Sequence, residues 1–371
     1  MFRCVEKAAE LLLAPLQANA FNKAQNYTRF ISSLVHNTAR PAACRVSDDG
    51  DEIQYGRSAL SVISLRLQLQ SSYEKAEDML RNICRGAENE WAFPLGIVDD
   101  WRDSERGYGL ANAGEWLKSP HPLVAAIMAD DPAFFSTDEK ACLTFDREKV
   151  AMFLSQAKDL LSLLSILLFI IPGQPPRAAE FLDHKLINGQ KDRTVFLGPN
   201  HNIWIVTRRS KTETQTQKEI FVPLVLPERL RWIYLTYVLI VRPVEVFLCA
   251  LLHGSERALV QAEFLFSFEG IRTSRYAFSS MLRKWFDIML NVKEMGTRNF
   301  RHIMTEICRL YIGNAFMEAL RGRSDIFAEQ QIHAPSTATD IYALEMDFLS
   351  GISSDKLHSA KKACEVSALC S

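Results

Sequence analysis

Several signatures that identify common classes of protein are missing from this chain of 371 residues. Its eight cysteines include no C-x-x-C pair, which argues against a zinc site and a disulfide framework and favours a reducing, intracellular compartment. No GxxxxGK[ST] loop occurs, so these residues offer no P-loop for ATP. The apolar run near the N-terminus is short and interrupted by charged residues, which predicts a helix rather than a signal peptide.

Long apolar runs are also scarce. Residues 160–171 are almost continuously apolar, but about 20 residues are needed to cross a bilayer. Residues 232–252 form a longer run that Arg242, Pro243 and Glu245 interrupt, which predicts two packed helices. We therefore expect no membrane segment.

The chain has little excess charge, with a net charge of -1. This value argues against nucleic acid binding by the whole surface, but a local basic groove is still possible because phosphate affinity depends on local Lys and Arg. Such a concentration is present over residues 272–325, where ten Lys or Arg face five Asp or Glu. The remaining composition, 48% hydrophobic and 23% charged, is that of a globular protein, and the length predicts two or three domains.

Hydrophobic periodicity predicts a mostly α fold with a small antiparallel sheet, an α+β class. Asp146 is expected to cap a helix over 147–171, and the Pro-rich cluster 172–176 is expected to end it. Other helices are expected over 1–40, 57–85, 122–130 and 177–182 and from 227 onward, strands over 194–197, 202–208 and 219–224, a polar connection over 40–54 and an irregular segment over 91–122.

Polar residues suited to phosphate chemistry follow one another in a particular order. An Arg occurs in PRAAE, a Lys in SKT, two Arg and a His in TRNFRH, and a Tyr nine positions after a later His. Two guanidiniums can hold the non-bridging oxygens of a phosphodiester and stabilise its transition state. A Tyr hydroxyl can attack the phosphorus, a Lys can protonate the leaving hydroxyl, and a His can orient or shuttle a proton. The residues are Arg177, Lys211, Arg298, Arg301, His302, His333 and Tyr342.

In this order the set resembles the tyrosine recombinases of the phage-integrase type, over roughly residues 147–345. The GQPPR form of the first Arg box also resembles the recombinase-like region of fungal RecQ-type helicase proteins and related mobile elements, so a helicase module can accompany it in relatives. The resemblance implies a helical DNA-clamp domain over 1–145, an integrase-like catalytic domain over 146–345, and a tail over 346–371 that docks on a neighbouring protomer. It also implies double-stranded DNA as partner, a homo-oligomer on DNA, a nuclear location, and neither metal nor cofactor.

The resemblance further implies individual roles. Arg177, Arg298 and Arg301 grip the phosphate, Lys211 is the general acid, and Tyr342 is the nucleophile beside His333. Lys218, across the same turn, is the rival to Lys211. Glu180 and His302 are supporting residues of the two Arg boxes. Further DNA contacts are expected from Arg208, Arg209, Lys218, Arg272, Arg275, Arg283 and Lys284.

Besides GQPPR in place of the usual Gly-Leu-Arg, the chain departs from the family pattern at three points. Arg298 stands where the family most often has a His, and an Arg cannot act as a base near neutral pH. Ile332 replaces a Gly, and the 32-residue interval from Arg301 to His333 is longer than in compact members. Three other functions therefore stay open: a decayed recombinase-like module that binds DNA without turnover, a type IB topoisomerase, and a helical scaffold that does not bind DNA.

Overall fold

The structure is a computed structural model, and it describes residues 44–90, 99–112, 116, 121–137, 143–198, 201–209 and 220–307. About 57% of it is helix and 15% is strand, so the expected mostly helical α+β class is confirmed. The chain divides into two compact units, residues 1–45 and 46–371. Of the first unit only Cys44 and Arg45 are described.

The described elements are short strands interspersed with helices of very different length. The helices are α1 (Val62–Cys84), α2 (Pro122–Asp130), α3 (Arg147–Ile170), α4 (Ala178–Phe181), α5 (Glu228–His253), α6 (Ser255–Glu263), α7 (Arg275–Leu290) and α8 over residues 297–307. The strands are β1 (Cys44–Val46), β2 (Glu52–Tyr55), β3 (Ser58–Ser61), β4 (Phe135–Thr137), β5 (Leu143–Phe145), β6 (Val195–Leu197), β7 (Ile203–Arg209), β8 (Ile220–Val225), β9 (Ser267–Phe268) and β10 (Ile271–Arg272).

A β-hairpin precedes α1, where the sequence predicted a polar connection over 40–54 and a helix from 57. Strands β2 and β3 pair antiparallel, and Gly56 in their turn has φ +62°, a conformation that glycine adopts without strain. The Ser61 hydroxyl then accepts from the Ser64 N–H and caps α1. Helix α1 ends at Cys84, with Arg85 left-handed at φ 54°, so its expected C-terminus is confirmed and its expected start was wrong.

Helices α3 and α5 supply much of the core. As predicted, Asp146 caps α3 by accepting from the N–H groups of Glu148 and Lys149. The prediction of two packed helices over 232–252 was wrong, since α5 is one helical run with a π-turn over Tyr237–Val241. A proline ring clashes with the carbonyl four residues earlier in a regular α-helix. The π-turn accommodates Pro243, because Arg242 N–H bonds instead to the Tyr237 carbonyl.

Both core helices are also long and apolar enough to cross a membrane by length and composition alone. In each, 67% of the most apolar window is buried inside the protein. Core helices meet the same criteria when they are mostly buried, and the expected absence of a membrane segment stays a prediction.

The predicted small sheet is present as β6–β7–β8, with both neighbouring pairs antiparallel. Val206 pairs with Pro223, and Ile205 with Leu224. Lys211 and Lys218 fall between β7 and β8, outside the described residues. The expectation of helix alone after residue 227 was wrong, because β9 and β10 form a hairpin whose turn residues, Glu269 and Gly270, have φ +50° and +75°. Two positive φ values are typical of the tight turn of a two-residue hairpin.

The packing of α1 bears on the domain division expected at 145/146. Helix α1 packs against α3 and also contacts α5 and α7. Its buried face includes Leu65, Leu69 and Leu80, which are 0 to 4% exposed. The segments on both sides of residue 145 thus share one core, and the boundary does not coincide with a break in packing. As a division between functional modules it stays a prediction.

Candidate functional site

The end of α3 places Arg177. Pro175 and Pro176 have no N–H to continue a helix, and the chain leaves α3 through a buried turn that ends at Arg177, the N-cap of α4. The buried Glu180 carboxylate accepts from the Arg177 N–H at 3.1 Å and lies 3.5 Å from its guanidinium. Glu180 therefore orients both the backbone and the side chain of Arg177, which is half-buried.

Helix α8 places the second Arg pair by the period of its sequence. Phe300, Ile303, Met304 and Ile307 are buried, and Phe300 packs against Phe169 of α3 and Phe286 of α7. The polar residues fall on another face of α8, because positions three and four apart lie side by side on a helix. They are Thr297, Arg298, Arg301, His302 and Thr305, and all five line one cleft.

Two hydrogen bonds join the proline-rich turn to α8. Arg301 Nε donates to the Pro175 carbonyl at 2.9 Å, across 126 positions of sequence. The buried Gln174 donates from Nε2 to the Met304 carbonyl at 3.0 Å. The turn before Arg177 and the helix of Arg301 are thus fixed to each other before any ligand binds.

The cleft between these elements has a volume of about 360 Å³ and is lined by Arg177 and Ala178 together with the polar face of α8. That volume is in the range of small-ligand pockets. Three arginines, Arg177, Arg298 and Arg301, line the cleft, and the Glu180 carboxylate lies 3.5 Å from the guanidinium of Arg177. Burial, and then the positive charge of Arg177, lower the pKa of Arg301, while Glu180 acts in the opposite direction. An oxyanion placed between the guanidiniums would relieve this repulsion.

The structure brings together only part of the predicted catalytic set. Arg177, Arg298, Arg301 and His302 share the cleft, with Glu180 behind Arg177. Lys211, Lys218, His333 and Tyr342 lie outside the described residues, so the convergence of the complete set stays a prediction.

The residues that were expected to contact DNA lie in different surroundings. Arg275, Arg283 and Lys284 are exposed on α7, with Arg283 donating to the Ser279 hydroxyl at 3.3 Å. Arg272 on β10 pairs with Asp183 at 2.9 Å and lies 3.8 Å over the Phe264 ring. The backbones of Arg208 and Arg209 extend β7.

Two residues near the cleft were not predicted from the sequence. Tyr55 stacks on His302, with ring centroids 4.7 Å apart and planes 10° apart. Gln174 lies in the same GQPPR segment as Arg177. A polar side chain in a proline-rich segment next to an apolar helix could have indicated a buried hydrogen bond. No local signal could have found Tyr55, because its contact with His302 depends on the tertiary fold.

Among the described residues no group of three or more His, Cys, Asp or Glu is placed to hold a metal ion. The described cleft can bind an oxyanion with guanidiniums and a backing carboxylate, an arrangement suited to one phosphate group. No protein-family model matches the chain, and no solved structure matches it significantly.

Proposed function

We propose that the cleft binds one phosphodiester of double-stranded DNA, and that the chain cleaves and rejoins the strand through a 3′-phosphotyrosine, as in recombination or integration. The observation that carries this proposal is the shared cleft of Arg177 and Arg301, which stand far apart in sequence and occur in the two Arg boxes. Arginines that only solvated the surface would not need the buried Glu180 carboxylate that orients Arg177. They would also not need the two hydrogen bonds that join the proline-rich turn to α8.

In the proposed reaction the Tyr342 hydroxyl attacks the phosphorus held by Arg177 and Arg301. A bond forms between the phenolic oxygen and phosphorus as the bond from phosphorus to the 5′ oxygen breaks. Lys211 gives its proton to the leaving 5′ oxygen, and His333 takes the phenol proton. The guanidiniums stabilise the charge on the non-bridging oxygens. Rejoining is the reverse attack by a 5′ hydroxyl.

A covalent-trapping experiment tests this function. A pool of nicked suicide duplexes of many sequences is incubated with the protein, and covalent protein-DNA adducts are separated under denaturing conditions. We expect an adduct with the unaltered chain and none with Tyr342→Phe. Duplex affinity should barely change, because the phosphate contacts that dominate binding remain. Tyr311→Phe is the matched control and should retain the adduct. An adduct that persists in Tyr342→Phe but is lost in Tyr311→Phe would reassign the nucleophile.

A second candidate function is DNA binding without turnover. It is favoured by Arg298, which lines the cleft and is exposed where the resembled family most often has a His. A guanidinium holds phosphate but does not accept a proton near neutral pH. Intact duplex binding with no adduct from any sequence would support this function. If Arg298 is what limits turnover, Arg298→His should raise the adduct yield.

A further inference from the structure

The β2–β3 hairpin touches the elements of the cleft at two points. At one, the Tyr55 ring stacks on the His302 ring at 4.7 Å, and His302 itself lines the cleft. At the other, the Ser58 hydroxyl donates to the Lys293 carbonyl at 3.1 Å, in the loop that leads into α8. The turn residues Gly56 and Arg57 lie between these two contacts in sequence. The hairpin turn is therefore held beside the first turns of α8.

The hairpin is also fixed to the core, so these contacts are not those of a free loop. Tyr55 pairs with Ser58 across the turn, and two pairs further from the turn Ile53 and Leu60 are completely buried at 0% exposed. A strand pair with its apolar face in the core has a strongly specified register. Arg57 is consequently presented outward from a rigid turn.

Arg57 is exposed, and within the described part of the chain no ion pair or hydrogen bond engages its side chain. On the other side of the same loop, Arg283 of α7 comes close to Gly296. A Cβ added at Gly296 would lie 3.4 Å from Arg283 Nε and 3.3 Å from the Ser279 hydroxyl. The absence of a side chain at Gly296 thus lets Arg283 lie against the residue that precedes α8.

Four exposed cationic residues therefore lie in or next to residues 293–298, the segment that begins α8, and we call them the basic rim: Arg57, Arg283, Lys293 and Arg298. Between Arg283 and Arg298 the exposed acidic residues are Asp287 and Glu294. A free phosphate in the cleft would leave the hairpin cation unused. A duplex, in contrast, carries one negative charge about every 1.7 Å along its axis, and so offers phosphates on both sides of any one that is bound.

We propose that the hairpin is a wall of the DNA site, in which Arg57 contacts a backbone phosphate next to the one in the cleft and Tyr55 holds the hairpin against His302. The proposal rests on the proposed DNA function. It adds a contact from residues that precede the expected catalytic domain. Because the contact is to the backbone, it contributes affinity and orientation without reading sequence.

The test is the salt dependence of binding to a 30-bp duplex of mixed sequence. Each neutralised phosphate contributes a slope of about -0.9 to log K against log salt concentration. We expect Arg57→Gln to reduce the slope by about 1 in magnitude, and Arg57→Lys to keep it because the charge is retained. Tyr55→Leu should weaken duplex binding, and Tyr55→Phe should preserve it by keeping the stacked ring.

The matched control is Arg81→Gln, an exposed Arg near the other end of α1, about 28 Å from Val62 at 1.5 Å per residue. It should leave the slope unchanged. If Arg57→Gln also leaves it unchanged while Arg301→Gln lowers it, the cleft binds DNA and the hairpin proposal is overturned. If only Arg57→Gln lowers the slope, the hairpin contact stands and the function proposed for the cleft fails.

Discussion

Replacing Arg301 by Gln separates a binding role for this residue from a structural one. Arg301 is half-buried, donates to the Pro175 carbonyl at 2.9 Å and faces Arg177 across the cleft. Burial and Arg177 both disfavour its charge, as the direction of its pKa shift indicates. Loss of this hydrogen bond from a charged donor costs about 1.5–3 kcal/mol of unfolding free energy. Removal of the buried, repelled charge offsets part of that loss.

We therefore expect Arg301→Gln to lower the unfolding free energy by less than about 3 kcal/mol, because loss of the repelled charge offsets part of the lost hydrogen bond. Its effect on DNA binding has no such offset, and a hydrogen bond to a charged group contributes about 1.5–3 kcal/mol. At 1.4 kcal/mol per factor of ten, duplex affinity should fall roughly 10- to 150-fold. Arg301→Lys keeps the charge but loses the two-pronged geometry, so its affinity should be intermediate.

Urea unfolding gives the first quantity, and fluorescence anisotropy with a labelled 30-bp duplex gives the second. Arg298→Gln is the matched control at an exposed position of the same cleft, and its unfolding free energy should be unchanged. A loss of several kcal/mol of stability in Arg301→Gln, with duplex affinity of the folded protein intact, would refute the reasoning. Arg301 would then have only a structural role, and the proposal that the cleft binds phosphate would be wrong.

Two further predictions concern the core. His184 is fully buried beside the Tyr234 hydroxyl at 2.9 Å, and burial lowers its pKa to about 3. The unfolded imidazole titrates near 6.5, so the unfolding free energy should fall by up to about 1.4 kcal/mol per pH unit as pH drops from about 6 towards 3. In acid unfolding experiments His184→Gln should lose this share of the slope, and Tyr234→Phe should keep it. The Arg193–Asp99 pair is 0% exposed on both sides with N–O contacts of 2.6 and 3.0 Å, so Asp99→Asn should cost about 3–5 kcal/mol in urea unfolding by leaving a buried charge unpaired. A cost below about 1 kcal/mol would contradict that expectation.

The parts of the fold that were predictable have local causes. Asp146 as a cap, prolines as helix breakers and the alternating strands of the β6–β8 sheet are each determined by a few adjacent residues. The β2–β3 hairpin was missed although Gly56 marks its turn, because the apolar period of α1 continues backward through Leu60. The β9–β10 hairpin was also missed, because its strands are only two residues long and lie within an otherwise helical region. Its turn is formed by Glu269 and Gly270.

The candidate site was predictable to a different extent. The order of the Arg boxes led to the prediction that Arg177 and Arg301 meet, and both line the cleft. The places of Lys211, His333 and Tyr342 stay predictions. The stacking of Tyr55 on His302 could not be predicted, because it arises where two segments that are distant in sequence meet in the fold. Contacts of that kind carry no periodicity or spacing in a single sequence.

The packing of α1 has a consequence for how DNA could enter. If the protein opened by separating α1 from α3, the buried face of α1 would become exposed to solvent. That face includes Leu65, Leu69 and Leu80. At about 2 kcal/mol for each buried leucine, these three alone cost roughly 6 kcal/mol. An open state this unfavourable would be populated in fewer than about one molecule in ten thousand. If the chain binds DNA, the described part that includes α1 and α3 would therefore bind it as a preformed surface, and the association rate would not depend on opening at α1.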